Sequence, residues 1–145
     1  MKKKFTLFLM AVMMSFSAMC FASHGADLDA EEKIVDQFFA GKDYNKIVAS
    51  LEPALAKDLT ADRYKEIFAD MEKTLGKLTQ KDLRVFRVFE DGHILSYAAK
   101  YEKAPAMEID VVFKKDKGKL IMADFRVLDP AAQNQEPANS EAEKK

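Results

Sequence analysis

Four runs in the second half of the chain, "DLRVFRVFE", "HILSYAAKYE", "MEIDVVFK" and "LIMADFRVL", most tightly limit its fold. Each is rich in β-branched and aromatic residues, and "DG", "KAPA" and "DKG" separate them. Runs of that composition between turn-forming residues predict strands, and connections so short join antiparallel neighbours. Asp-Gly between two such runs is the strongest short hairpin signal. The second half is expected to be a four-stranded antiparallel sheet with one face to cover.

The first half supplies the cover. Asp29 and Glu32 have capping-box spacing, Ile34, Val35, Phe38 and Phe39 follow on one face, and Gly41 is a natural stop. A weaker segment carries Ile47, Val48 and Leu51, is interrupted at Pro53, and resumes through Leu55 and Leu59. In the third, Thr60 caps, Tyr64, Ile67, Phe68, Met71 and Leu75 recur at helical spacing, and Gly76 ends the pattern. The aromatic and methionine stripe reads as core. The fold class is α+β: three N-terminal helical segments packed on one face of a four-stranded antiparallel sheet.

The ends read differently. Residues 1–22, "MKKKFTLFLMAVMMSFSAMCFA", have the lysine cluster, apolar run and small-residue site of a secretory signal peptide. Cleavage after Ala22 predicts a periplasmic or secreted protein with no membrane span. Lipidation at Cys20 is the alternative, and bulky Met19 just before it disfavours that route. Residues 23–28 are expected to be a flexible N-terminus, 29–128 one α+β domain, and 129–145 a disordered polar tail with no large apolar residue.

Charge and chemistry narrow the function. The leader holds three of the 23 Lys+Arg, which leaves 20 against 24 Asp+Glu, a formal charge of −4. That balance argues against a nucleic-acid partner. The only cysteine lies in the leader, so the mature chain has no disulfide, thiolate metal site or cysteine nucleophile. There is no Gly-rich phosphate loop, serine elbow or His-x-x-x-His spacing, so no cofactor, metal or catalytic set is expected. His24 would stand second in the mature chain, where a copper or nickel site is conceivable and a plain polar terminus is the simpler reading.

Asp91–His93 raises the remaining question of catalysis. With Asp91 and Gly92 in the central turn positions, Glu90 faces His93, and Phe89 pairs with Ile94. A three-residue loop with a left-handed Gly118 closes the last hairpin. Carried through, this register sends Leu83, Val85, Ile94, Ala98, Ile109, Val111 and Phe113 under the helices. It leaves His93 solvated at a hairpin tip. Arg87 and Lys100 are then the only inward titratable groups, and Ser96 the only inward hydroxyl. A slip of one residue would exchange the two faces.

Several stretches resemble a known family: "FFAGKDYNKIV", "LTADRYKEI", "TLGKL" and "DKGKLIMADFRV". The chain resembles a family of small secreted bacterial domains of unknown function with the nuclear-transport-factor-two-like, or cystatin-like, fold. The resemblance implies helices laid across a curved sheet over residues 30–128. It carries over no activity. Relatives in that superfamily with isomerase or dehydratase activity place carboxylates, histidines and tyrosines in the cone between helices and sheet.

The inferred outer sheet face is the functional expectation. Phe86, Val88, Leu95, Tyr97, Tyr101, Val112, Met122 and Arg126 would form an interaction surface, with Arg84, Asp110 and Asp124 among them. An uncovered antiparallel face should be polar, so apolar residues there mark a contact. The chain is expected to be a non-catalytic binding domain for an unknown protein or peptide, or to form a homodimer by two-fold pairing. The alternative is a small-molecule binder or minor enzyme using the cone.

Overall fold

Helix stripes and caps order the first half of the domain. The computed structural model describes residues 25–133. The leader, Cys20, His24 and the tail beyond residue 133 lie outside the described residues. α1 covers residues 25–39 and buries Glu31, Val35, Phe38 and Phe39. Asp29 therefore lies inside the helix rather than capping it. The weak second segment is irregular, as its proline suggests: α2 (Tyr44–Ile47), a 3₁₀ turn (Val48–Ser50) and α3 (Pro53–Asp58). α4 (Ala61–Leu75) is bounded by its own sequence. Thr60 Oγ1 accepts from the Arg63 N–H at 3.3 Å, which satisfies one open donor of the first turn, and Gly76 follows the last.

The sheet has four antiparallel strands in the order β1 (Leu78–Val88), β2 (Gly92–Tyr101), β3 (Met107–Asp116), β4 (Lys119–Leu128). The last hairpin is one residue tighter than expected. Lys117 (φ 50°) and Gly118 (φ 79°) alone connect Asp116 to Lys119, with the two positive φ values that a two-residue primed turn requires. A single helical turn, α5 (Pro130–Gln133), follows β4.

The first hairpin differs from the expected register by two residues, and a bulge further along β1 makes the shift odd and so exchanges the faces of β2. Val88, not Glu90, pairs with His93, so Phe89–Gly92 form a four-residue connection closed by the Phe89 N–H donating to the Gly92 carbonyl (2.8 Å). Gly92 does not adopt a positive φ. A bulge at Arg84 takes up one more residue, since Leu83 pairs with Tyr97 and Val85 with Ser96. Cross-strand partners share a face. His93, Leu95, Tyr97, Ala99 and Tyr101 thus join Ile109, Val111 and Phe113 beneath the helices, while Arg87, Ser96 and Lys100 turn outward. A second bulge at Ala123 places Met122 opposite Phe113, also inward.

The core is largely aromatic. The Phe38 ring lies 5.2 Å from Phe39, 5.4 Å from Tyr64, 5.6 Å from Phe68 and 4.6 Å from Phe125, which joins α1, α4 and β4. The buried Tyr64 hydroxyl donates to the Phe38 carbonyl at 2.5 Å. Burial pushes its pKa up to about 12, so it stays a donor. The edge of β4 is partly covered, because the Glu52 N–H donates to the Met122 carbonyl (2.7 Å).

Gly92 is required by space. A Cβ there would stand 2.1 Å from the Phe113 carbonyl oxygen on the neighbouring strand. Gly92→Ala is expected to push β2 from β3 and cost about 1–3 kcal/mol, as overpacking does. Gly118→Ala meets open space and is strained only by φ, at about 1–2 kcal/mol. Urea unfolding of both variants checks the order. Equal stability of Gly92→Ala and the parent chain would contradict the close approach.

Candidate functional site

The exchanged faces dissolve the interaction surface expected from the sequence. Leu95, Tyr97, Tyr101 and Met122 are buried against the helices. Phe86 is half-buried on the same inner face, its ring 5.1 Å from the His93 ring. Val88 also belongs to that side, at the hairpin end, where it is 48 % exposed. Val112 and Arg126 alone keep the expected outer placement, with Asp110 and Asp124. The physical reason is the bulge at Arg84: the longer connection moves the pairing by two residues, which keeps the faces, and the bulge adds a third, which exchanges them.

The same shift brings the chain's most unusual polar pair into the interior. His93, expected in solvent, is 2 % exposed, and its Nδ1 lies 2.5 Å from Oε1 of Glu31 on α1, which is 0 % exposed. Helical spacing explains Glu31, since it shares the buried stripe of α1 with Leu28, Val35 and Phe38. Loss of water around the carboxylate raises its pKa above the ordinary value, and the hydrogen bond and charge of His93 pull the other way. Glu31 Oε2 and the Tyr97 hydroxyl are buried with no hydrogen-bond partner among the described residues. Lys81 sits above the Tyr97 ring at 4.0 Å and pairs with Asp36 of α1 at 3.1 Å. Glu31, His93 and the sheet tyrosines Tyr97 and Tyr101 therefore stand between helices and sheet, where the sequence reading put none of them.

A groove of about 450 Å³ opens on the outer face of the sheet. Val85, Ala98, Ala106 and Pro130 form its apolar floor and side, and Ser96 adds a hydroxyl. Asp82, Arg84, Lys100 and Glu108 give it a rim of both signs. Neither this groove nor a second one, between α1 and α4, is lined by Glu31 or His93. On the same outer face Asp110 pairs across the strands with Ser96 and Arg126, and its Oδ1 is buried with no partner among the described residues. An unmet buried acceptor is costly, and a donor from outside would relieve it.

Among the described residues no group of three or more His, Cys, Asp or Glu side chains is placed to hold a metal ion, and no helix is long and apolar enough to cross a membrane. No family model, curated protein or solved structure significantly matches this chain.

Two signals for the true arrangement are present in the sequence. In "HILSYAAKY" the alternate set His93, Leu95, Tyr97, Ala99 and Tyr101 is bulkier and more apolar than Ile94, Ser96, Ala98 and Lys100. The alternation alone would have put Lys100 outside. A glutamate on an otherwise apolar helical stripe likewise signals a buried partner.

Proposed function

We propose that the protein is an exported binding domain that holds a short, extended peptide segment in the groove on the outer face of its sheet. The groove is the observation that carries this reading. Its volume falls at the lower end of the range for ligand sites. An extended peptide suits it because the floor is apolar, the rim carries both charges, and Ser96 offers a hydroxyl.

The test uses peptides selected from a random library on the full chain, then titrated against it by NMR. Binding is expected to move the amide signals of Val85, Ser96 and Ala98. Ala98→Trp fills the groove from a half-buried outward position and is expected to abolish that binding with the fold intact. Selected peptides that bind Ala98→Trp as well as the parent chain would overturn the reading.

A further inference from the structure

The second groove lies on the helical side of the molecule, and its chemistry differs from that of the sheet face. It has a volume of about 650 Å³ between the end of α1, the middle of α4 and the start of β1. Phe39, Phe68, Met71 and Leu78 give it apolar walls. Tyr101 also lines it, and the Tyr101 hydroxyl is buried with no hydrogen-bond partner among the described residues. Lys42, Lys65 and Lys77 lie around it, with Glu72 as the single acid in the lining.

The three lysines are exposed, and none has an ion-pair partner among the described residues. By contrast Lys46, Lys81, Lys114 and Lys115 all face carboxylates. The groove is thus a locally cationic site, three lysines against Glu72 in the lining and Glu102 beside it, whose carboxylate accepts from the Lys77 N–H at 2.9 Å, on a chain whose formal net charge is −1. The long lysine stems can lie along the apolar walls while their ammonium groups stay at the mouth. Apolar walls, unpaired cations at the rim and an unsatisfied tyrosine hydroxyl together describe the complement of one ligand class.

We propose that this groove binds a free single-chain amphiphile with one carboxylate, its hydrocarbon against Phe39, Phe68, Met71 and Leu78 and its head toward Lys65 and Lys77. Burial of the chain supplies most of the affinity, in proportion to the apolar surface covered. The lysines supply the preference for an anion. The assignment does not depend on the sheet-face groove, whose lining shares no residue with this one.

Octanoate is the probe, and 1-octanol its uncharged counterpart. Titration of the full chain, followed by amide NMR and calorimetry, is expected to give saturable shifts at Ala40–Lys42, Ala69–Glu72 and Lys77–Leu78. The double variant Lys65→Glu with Lys77→Glu keeps the fold, because both side chains are exposed. It is expected to weaken octanoate about tenfold or more, the scale of one lost charge-assisted contact, and to leave 1-octanol unchanged. Octanol should itself bind more weakly than octanoate to the parent chain. Failure to saturate, shifts confined to the sheet face, equal affinity for the alcohol, or octanoate binding that survives the charge reversal would each overturn the assignment. Binding to phosphatidylglycerol vesicles without binding to octanoate would overturn it as well, in favour of a membrane surface.

Discussion

Glu31→Ala is expected to destabilise the domain by about 3–5 kcal/mol, because it leaves a buried histidine without its carboxylate. The His93 side chain is 2 % exposed and reaches Glu31 across the gap between β2 and α1. Removing Glu31 takes its carboxylate from that ring and opens a gap beneath α1. Converting both residues, Glu31→Met with His93→Leu, is expected to return the chain to parent stability or above, since a packed apolar pair avoids the desolvation that two polar groups suffer. Urea unfolding of Glu31→Ala measures the loss, and that of the double variant and of Glu31→Met and His93→Leu alone gives the coupling directly. A Glu31→Ala chain within about half a kcal/mol of the parent, the range of an ordinary surface change, would show that the pair does not hold α1 to the sheet.

The pair also gives stability a definite pH dependence. Burial is the leading cause of the Glu31 shift, and it raises the carboxyl pKa above 4.5. A group whose folded pKa is raised holds its proton more tightly in the native state than in the unfolded chain. Its favourable contribution is therefore complete below about pH 4.5 and is lost as pH rises through the folded value. The charges facing it are His93 on β2, Asp27 one turn earlier on α1, and Lys115 on β3, which binds Asp27 at 2.7 Å. Glu31→Gln keeps the shape and a hydrogen-bonding group but cannot titrate. Melting temperatures taken across mildly acid to neutral pH should show the parent losing ground to Glu31→Gln as pH rises. A constant difference between the two chains would mean that Glu31 titrates alike in the folded and unfolded states.

The parts of this fold that were readable in the sequence are those fixed by local chemistry. α4 begins after Thr60 and ends before Gly76 because a cap and a stop act on their own neighbours. The four strands and their antiparallel pairing follow from composition and short connections. The face of β2 was not readable from the turn, because register there depends on a bulge one strand away at Arg84. An Asp-Gly pair suggested a two-residue loop, yet Asp91 and Gly92 instead lead into β2 already paired against β3. The Asp91 carbonyl accepts from the Lys115 N–H at 3.0 Å, and Gly92 lies against Phe113. That tertiary demand prevailed over turn propensity, and the bulge at Arg84 then changed which polar groups face the helices. The sheet-face groove is half legible: an uncovered second face follows from counting helices, but the two-residue turn register sends its floor of Val85, Ser96 and Ala98 inward.

Phe38→Ala is expected to be the most damaging single truncation in the helical layer, at about 3–5 kcal/mol. Phe38 is 0 % exposed and meets four aromatic rings from three elements: Phe39 beside it, Tyr64 and Phe68 on α4, and Phe125 on β4. Edge-on ring pairs of this kind add to the area they bury, so the loss exceeds the transfer of one side chain. The site also resists collapse. The Tyr64 hydroxyl is held by the backbone carbonyl of residue 38, which the substitution leaves in place, so that ring cannot swing in to fill the space without breaking a buried hydrogen bond. Phe68 gives a contrasting case, because it packs on the same cluster but is only partly buried, and Phe68→Ala should cost less than Phe38→Ala. With a folded stability in the usual range of about 5–15 kcal/mol, the Phe38 variant would lose a large share of the total. Thermal and urea unfolding of both variants decide the order. Phe68→Ala proving the more damaging of the two would place the centre of the core on α4 instead of at the junction of α1 with the sheet.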